Sequence, residues 1–370
     1  MLKHSILHPS EVFLLLFVST VAAQGPIEPS TAPTSSMKTL EQVYNQIEEP
    51  RTPISSLPYD ITEPGSYYVT RDLYGRGGEN GINIQTNNVT LDLNGYTLYG
   101  VPDGSGIRVY YAGLYYDGIT IRNGCIRNWG SSASYAGLIA NYTRGLVVEH
   151  MIFMENDARG IISGRGTHIC NCTFLKNKNG ADVRAGSLII NSLAVSNNSA
   201  GLIVDNGSMV QDCTAGFNGM SGIVAVDACR LQGCSVYNNG QSGITANRGC
   251  SVLECVAVSN TYGIAVKDNC LVVRNTCSGN ARTNSIYAAG ILVDGSANRI
   301  EGNHVEGNVY GIRIFDSPGT TNLVIRNTAL RNSTANYSLQ TGTVYGPILS
   351  MNNSGVLTNT SPWINFELAP

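Results

Sequence analysis

The chain has 370 residues, a formal net charge of −3 and only 13% charged residues, with 41 Gly and ten Cys. No Lys/Arg cluster or basic excess supports a nucleic-acid partner, and no stretch after the first two dozen residues reads as a transmembrane segment. The length is large for one compact domain but ordinary for a solenoid, and abundant Gly and Asn suit many tight turns.

Residues 1–23 read as an export signal. Lys3 and His4 precede the apolar run Val12 to Val18, and small residues follow at Val21-Ala22-Ala23, which places cleavage after Ala23. The run is short for a membrane anchor. Residues 24–36 are rich in Pro, Ser and Thr and form a linker. Residues 37–80 are expected to build an N-terminal cap of a short helix plus lead-in strands. Leu40, Val43, Tyr44 and Ile47 fall on one helical face.

Residues 81–340 carry the decisive pattern. A Gly-apolar-x-apolar motif begins at Gly81, Gly106, Gly137, Gly160, Gly180, Gly201, Gly222, Gly243, Gly263, Gly290 and Gly311. Between Gly160 and Gly263 it recurs at a near-constant step of ~21 residues, the mark of a repeat architecture. A second block, seen in 208–218, 229–239 and 250–260, has apolar third and eighth positions and ends on Asn. Those Asn are Asn156, Asn177, Asn197, Asn218, Asn239, Asn260, Asn280, Asn308 and Asn332. Alternation in short segments between Asn/Gly turns means strands, and three strands per ~21 residues make one coil of a β-helix. A single coil cannot offset its own ordering entropy by burying about six side chains, so neighbours must seal it. The pattern predicts about eleven coils, with the Asn column forming an amide ladder. The L-x-x-L-x-L pattern of a leucine-rich repeat is missing. Residues 341–370 are expected to cap the far end.

These repeats resemble the parallel β-helix repeat of pectate-lyase-like, carbohydrate-binding and sugar-hydrolysing proteins. More closely, the chain is similar to secreted β-helix proteins of environmental bacteria. The resemblance rests on Arg51 to Pro58 (RTPISSLP), Pro64 to Val69 (PGSYYV), Asn88 to Gly95 (NVTLDLNG) and Pro362 to Phe366 (PWINF). It covers nearly the whole mature chain and implies a right-handed parallel β-helix solenoid, without implying an activity.

The chemistry of related folds is not visible. The Asn-Thr-Asp, Asp-Asp, Gly-His-Gly and Arg-Ile-Lys signatures of polygalacturonase-like enzymes do not occur, nor does the epimerase-type Asp-Pro-His-Asp, and no carboxylate cluster has calcium spacing. No cofactor or metal is therefore expected. The best carboxylates for a general acid/base pair are Asp227, Asp268 and Asp316 in one register, with Asp205 and Asp294 one residue earlier. Asp227 and Asp268, two coils apart, would be about 10 Å from one another, near the upper range for an inverting glycosidase. Ordinary turn chemistry explains the same residues. His150, His168 and His304 show no partner in the sequence.

Cys213, Cys234 and Cys255 fall in one column and Cys229, Cys250 and Cys270 in another. Directly stacked Cys are poorly placed for disulfides, so buried thiols acting as small apolar fillers are expected. Two features suggest a partner. The step from Gly106 to Gly137 is the longest in the series, and its excess carries Tyr110, Tyr111, Tyr115 and Tyr116, rings suited to sugar contact or to packing over the first coils. An outward stripe of Ile139, Ile162, Ile203, Val224 and Leu292 suggests self-association or a cover such as the tail with Trp363 and Phe366. The sequence thus points to a secreted or cell-surface protein, non-catalytic and glycan-binding or surface-structural. The alternative is a polysaccharide lyase or glycoside hydrolase with an unrecognised site.

Overall fold

The computed structural model describes residues 51–110, 113, 115–132, 134–281, 285–315, 321–351 and 359–368. The expected signal, linker and helix at 37–47 lie outside them, as do Tyr111 and Asp316. The described residues contain no helix, and all of their regular structure is strand.

Every strand pairs in parallel within one of two sheets, of 26 and 14 strands. The repeat at its most regular shows how one coil is made. Strands His168–Cys170 and Thr173–Leu175 belong to the larger sheet, and Asn179–Val183 to the smaller. Three corners separate them, and each turns on a left-handed residue: Asn171 and Lys176 here, with Gly186 closing the coil. Stacking is in register. Leu138, Ile161, Ala181, Leu202, Ile223, Ile244, Ile264, Ile291 and Ile312 are successive partners, and all are buried.

The solenoid has about 14 turns rather than the expected eleven. The additional turns lack the Gly-led motif. Tyr59–Ile61 pairs with Ile82–Ile84 but follows Pro58, and at the other end Tyr310–Phe315 pairs with Ala335–Ser338. Terminal coils have a neighbour on one side only, so they are under less steric constraint.

That constraint is visible at the motif glycines. A Cβ on Gly201 would sit 2.5 Å from the carbonyl oxygen of Gly222 and 2.9 Å from Nδ2 of Asn218. The residue is glycine because the next coil passes too close for any side chain.

The Asn column forms the expected ladder. Asn156, Asn177, Asn197, Asn218, Asn239, Asn260, Asn280, Asn308 and Asn332 are buried, and each Oδ1 from Asn177 onward accepts the amide Nδ2–H of the coil before at 2.8–3.2 Å. Buried Trp129 heads the column: its backbone N–H donates to Asn156 Oδ1 and its indole Nε1–H to Leu98 O. Apolar stacks fill the interior, including Phe153 on Phe174 with ring centroids 5.4 Å apart.

All ten Cys are free, eight of them buried. They are more than apolar fillers. The Sγ atoms of Cys172, Cys213, Cys234 and Cys255 lie 3.2–3.4 Å from the carbonyl oxygen two residues back, as thiol donors do. Burial pushes the Cys172 and Cys213 thiols up to about 12.

Candidate functional site

Each coil leaves the smaller sheet through an exposed corner, and these corners stack as the strands do. Backbone hydrogen bonds trace the column through Arg144, Arg165, Ala185, Asn206, Asp227, Arg248, Asp268 and Ser296. Arg144 and Arg165 are also paired in register. The column therefore holds two of the candidate carboxylates together with several basic residues.

At one end of the column the charges are matched. Arg144 holds Asp117 through two hydrogen bonds, Nε–Oδ1 at 2.9 Å and Nη2–Oδ2 at 2.6 Å, and keeps that carboxyl below its ordinary range. Farther along, Asp227 Oδ1 accepts the backbone N–H of Arg248 at 3.1 Å, and Arg248 Nε lies 3.5 Å from Asp268 Oδ2. Asp268 Oδ1 accepts the Ser296 backbone N–H at 2.9 Å, and this bond is the main cause of its lowered pKa. Asp227 and Asp268 do stand two coils apart on one column, and one oxygen of each accepts a backbone N–H from the next corner. For Asp268, whose carboxyl is held below its ordinary range, this disfavours a role as general acid.

Between these matched stretches lies a groove of about 360 Å³, lined by Tyr115, Asn141, Tyr142, Arg165, Arg184, Ala185, Asp205 and Asn206. Ala185 leaves a gap in the column beside Arg165. Tyr115 and Tyr142 meet edge to face with centroids 6.2 Å apart, and the Arg144 guanidinium lies 5.7 Å from the Tyr115 ring centre. Arg165 and Arg184 are exposed and have no carboxylate partner among the described residues. Asn141 Oδ1 is buried without a hydrogen bond. Asp205 is the only carboxylate among the described lining residues, and its Oδ1 accepts the Asn206 N–H at 2.8 Å.

Of the described tyrosines singled out from the sequence, Tyr115 lines this groove and is 50% exposed. Tyr110 is 49% exposed but lies outside the lining. Tyr116 is 7% exposed and belongs to the core. It sits on the strand Tyr116–Asp117, where alternation turns it inward while Asp117 faces Arg144. Tyr142, Arg165 and Arg184 were missed. A signal existed in the repeated Arg-Gly pairs Arg144-Gly145 and Arg165-Gly166, which stand one repeat apart.

The outward stripe keeps its expected register along the smaller sheet. Ile162, Ile203, Val224 and Leu292 are half-buried, whereas Ile139 is only 8% exposed. The described part of the tail does not cover the stripe. Asn365–Leu368 pairs with Thr328–Leu330 and Ile348–Ser350 in the larger sheet, and Trp363 lies under the Arg326 guanidinium. The tail is drawn there because Asn365 continues a buried amide column begun by Asn275, Asn303 and Asn327. Among the described residues no three His, Cys, Asp or Glu side chains are grouped to hold a metal ion.

Parallel coils stacked in register, three corners per turn and buried amide ladders define a right-handed parallel β-helix protein. Consistent with this, residues 201–366 match the family described as the right handed beta helix region. The A-module of mannuronan C-5 epimerase AlgE4 from Azotobacter vinelandii is a similar solved structure, with 18% identity and a TM-score of 0.64 over 76% of this chain and 91% of that one. The AlgE6 A-module from the same organism gives 15% identity and a TM-score of 0.54 over 84% of this chain and 90% of that one. At these identities the likeness concerns the fold alone. No curated protein matches the sequence.

Proposed function

We propose that this is a secreted or cell-surface, non-catalytic polysaccharide-binding protein whose contact surface is the groove around Tyr115 and Tyr142. The observation that carries the reading is the pairing of two partly exposed aromatic rings, Tyr115 and Tyr142, with the polar lining of Asp205 and Asn206 on stacked coils. Sugar rings present apolar faces and hydroxyls together, and such a wall meets both. A polysaccharide partner gains support from solved neighbours whose names place them on mannuronan, which as epimerases fit the enzymatic alternative, and the N-terminal export pattern supports the extracellular setting.

Binding is favoured over hydrolysis because paired-carboxylate chemistry needs two such groups, and the described lining offers Asp205 alone. Immobilised polysaccharides would be probed with the mature protein and with Tyr115→Ala/Tyr142→Ala. Retention of at least one polysaccharide, weakened by the double substitution, is expected; undiminished retention would refute the site. Release of reducing ends or unsaturated uronates from the same polymers would favour the enzymatic alternative instead. The half-buried stripe Ile162, Ile203, Val224 and Leu292, continued by Ile139, is a second proposed surface, for self-association. Sedimentation velocity on Val224→Glu tests it, with a concentration-dependent oligomer expected only for the parent chain.

A further inference from the structure

The exposed corner column follows a simple electrostatic rule. Asp117 faces Arg144 and Arg248 faces Asp268 across neighbouring coils, and Asp227 Oδ1 accepts the Arg248 backbone N–H. Arg165 breaks the rule. Its neighbour on one side is Arg144, in register and of like charge, and on the other side it is Ala185, which carries no charge at all. Arg184, adjacent to that alanine, is the second cation without a carboxylate partner among the described residues, and both arginines line the groove.

Like charges on neighbouring strands destabilise a sheet, and the same spacing on this column elsewhere brings in an acid. Asp205 supplies one negative charge on the groove wall against these two cations, and its Oδ1 is engaged by the Asn206 N–H. The local excess is therefore positive on a chain whose net charge is −3. A guanidinium presents a planar fork that matches carboxylate and other oxyanions with two hydrogen bonds. The gap at Ala185 leaves room for such a group beside Arg165.

From this we infer that the groove selects an anionic glycan, with Arg165 and Arg184 receiving the carboxylates or sulfates of the polymer while Tyr115 and Tyr142 contact its rings. The inference rests on the glycan-binding reading and adds the charge class of the ligand. Carboxylated and sulfated sugars share the chemistry that the two arginines recognise.

The mature protein would be titrated with polymannuronate, dextran sulfate and neutral dextran of matched length, at ionic strengths from about 50 to about 200 mM. Expected is binding of at least one acidic polymer at least about tenfold tighter than of neutral dextran, with the advantage shrinking as salt rises. Preference between the two acidic polymers identifies carboxylate or sulfate as the source of the anion. Arg165→Ala/Arg184→Ala should lose about tenfold in affinity for the acidic polymer, and Arg165→Lys/Arg184→Lys should retain part of it. Arg331→Ala, which removes an exposed cation paired with Glu306 at another corner, should leave affinity unchanged. The two arginines are exposed, so these variants are expected to fold, and circular dichroism checks that they do. Equal affinity for neutral and acidic polymers, or acidic binding unaltered by the double alanine variant, overturns the charge assignment while leaving glycan binding intact. Failure of all three polymers to bind overturns both.

Discussion

Asn218→Ala is the sharpest test of what holds the coils together. The Oδ1 of Asn218 accepts two hydrogen bonds from Asn197, one from its backbone N–H at 3.0 Å and one from its Nδ2–H at 2.9 Å. Its own Nδ2 donates to Ala194 O at 3.0 Å and to Asn239 Oδ1 at 2.9 Å. Truncation leaves the Asn197 backbone N–H without its acceptor in a buried site, which alone costs about 1–3 kcal/mol. The other three bonds are softened, because Asn197 Nδ2 still reaches Phe174 O and Asn239 Oδ1 still receives the backbone N–H of residue 218. Together the loss should be about 3 kcal/mol. Asn218→Asp should cost more, since it sets a carboxylate oxygen against both Ala194 O and Asn239 Oδ1 in a buried site. Urea unfolding followed by circular dichroism measures both, with Ser235→Ala on an exposed strand position as a control expected within about 0.5 kcal/mol of the parent. A cost below about 1 kcal/mol for Asn218→Ala at unchanged m-value would refute the ladder as a source of stability.

Further expectations follow from the thiols and the glycines. With the Cys172 and Cys213 thiols pushed up to about 12 by burial against an ordinary 9.0, the folded state holds protons that the unfolded chain releases. Their stabilising effect is complete below the ordinary thiol pKa and is lost as pH rises toward the folded one. Stability should fall by about 2 kcal/mol per thiol between about pH 8.5 and 10.5, and a Cys172→Ser/Cys213→Ser variant should flatten that slope in urea unfolding at each pH. At about pH 8, iodoacetamide should modify the native chain only at the half-buried Cys125 and Cys170, with the remaining thiols reacting after denaturation, as read by mass spectrometry. Gly201→Ala should cost more than about 3 kcal/mol in the same unfolding assay, because its Cβ would lie 2.5 Å from a backbone oxygen that cannot retreat without separating two coils.

The repeat was legible because a solenoid writes its geometry into spacing. A near-constant period fixes which side chains lie over one another, so the buried Ile/Val/Leu columns and the Asn ladder could be placed before any coordinates. The terminal turns were hidden, since Tyr59–Ile61 and Ala335–Ser338 follow the path of the coil without the glycine that close packing demands in the middle. The groove was hidden for another reason. Tyr115, Tyr142, Arg165 and Arg184 come from four separate stretches of sequence, and only the stacking of corners unites them. Carboxylates drew attention in the sequence because they are the usual agents of sugar hydrolysis. In the folded chain Asp227 and Asp268 bond the backbone of their own corner column, and the cations left unmatched on that column are the informative residues.

Two further columns of buried residues, on the inner sides of the other two corners, obey the rule of the Asn ladder with different side chains. Along one, Cys172, Ser192, Cys213, Cys234, Cys255, Asn275, Asn303, Asn327 and Asn365 succeed each other; along the other, Thr167, Ser187, Ser208, Cys229, Cys250, Cys270, Asn298 and Asn322. Hydroxyl, thiol and amide interchange there because each is small and can donate to a carbonyl that the sharp corner turns inward, as Ser192 Oγ does to Ile190 O and Cys213 Sγ to Gln211 O. What the corner requires is a compact donor, and the amide additionally bonds to its own kind on the next coil. It follows that Cys213→Ser should be tolerated within about 1 kcal/mol, while Cys213→Val, an apolar filler of greater volume, should cost more by leaving that carbonyl unpaired. The reverse order of stability in urea unfolding would mean that the thiols serve only to occupy space. With a buried column bonded from coil to coil at each of the three corners, Arg165 stands on the outer side of a frame whose inner side is held by Thr167 and Ser187.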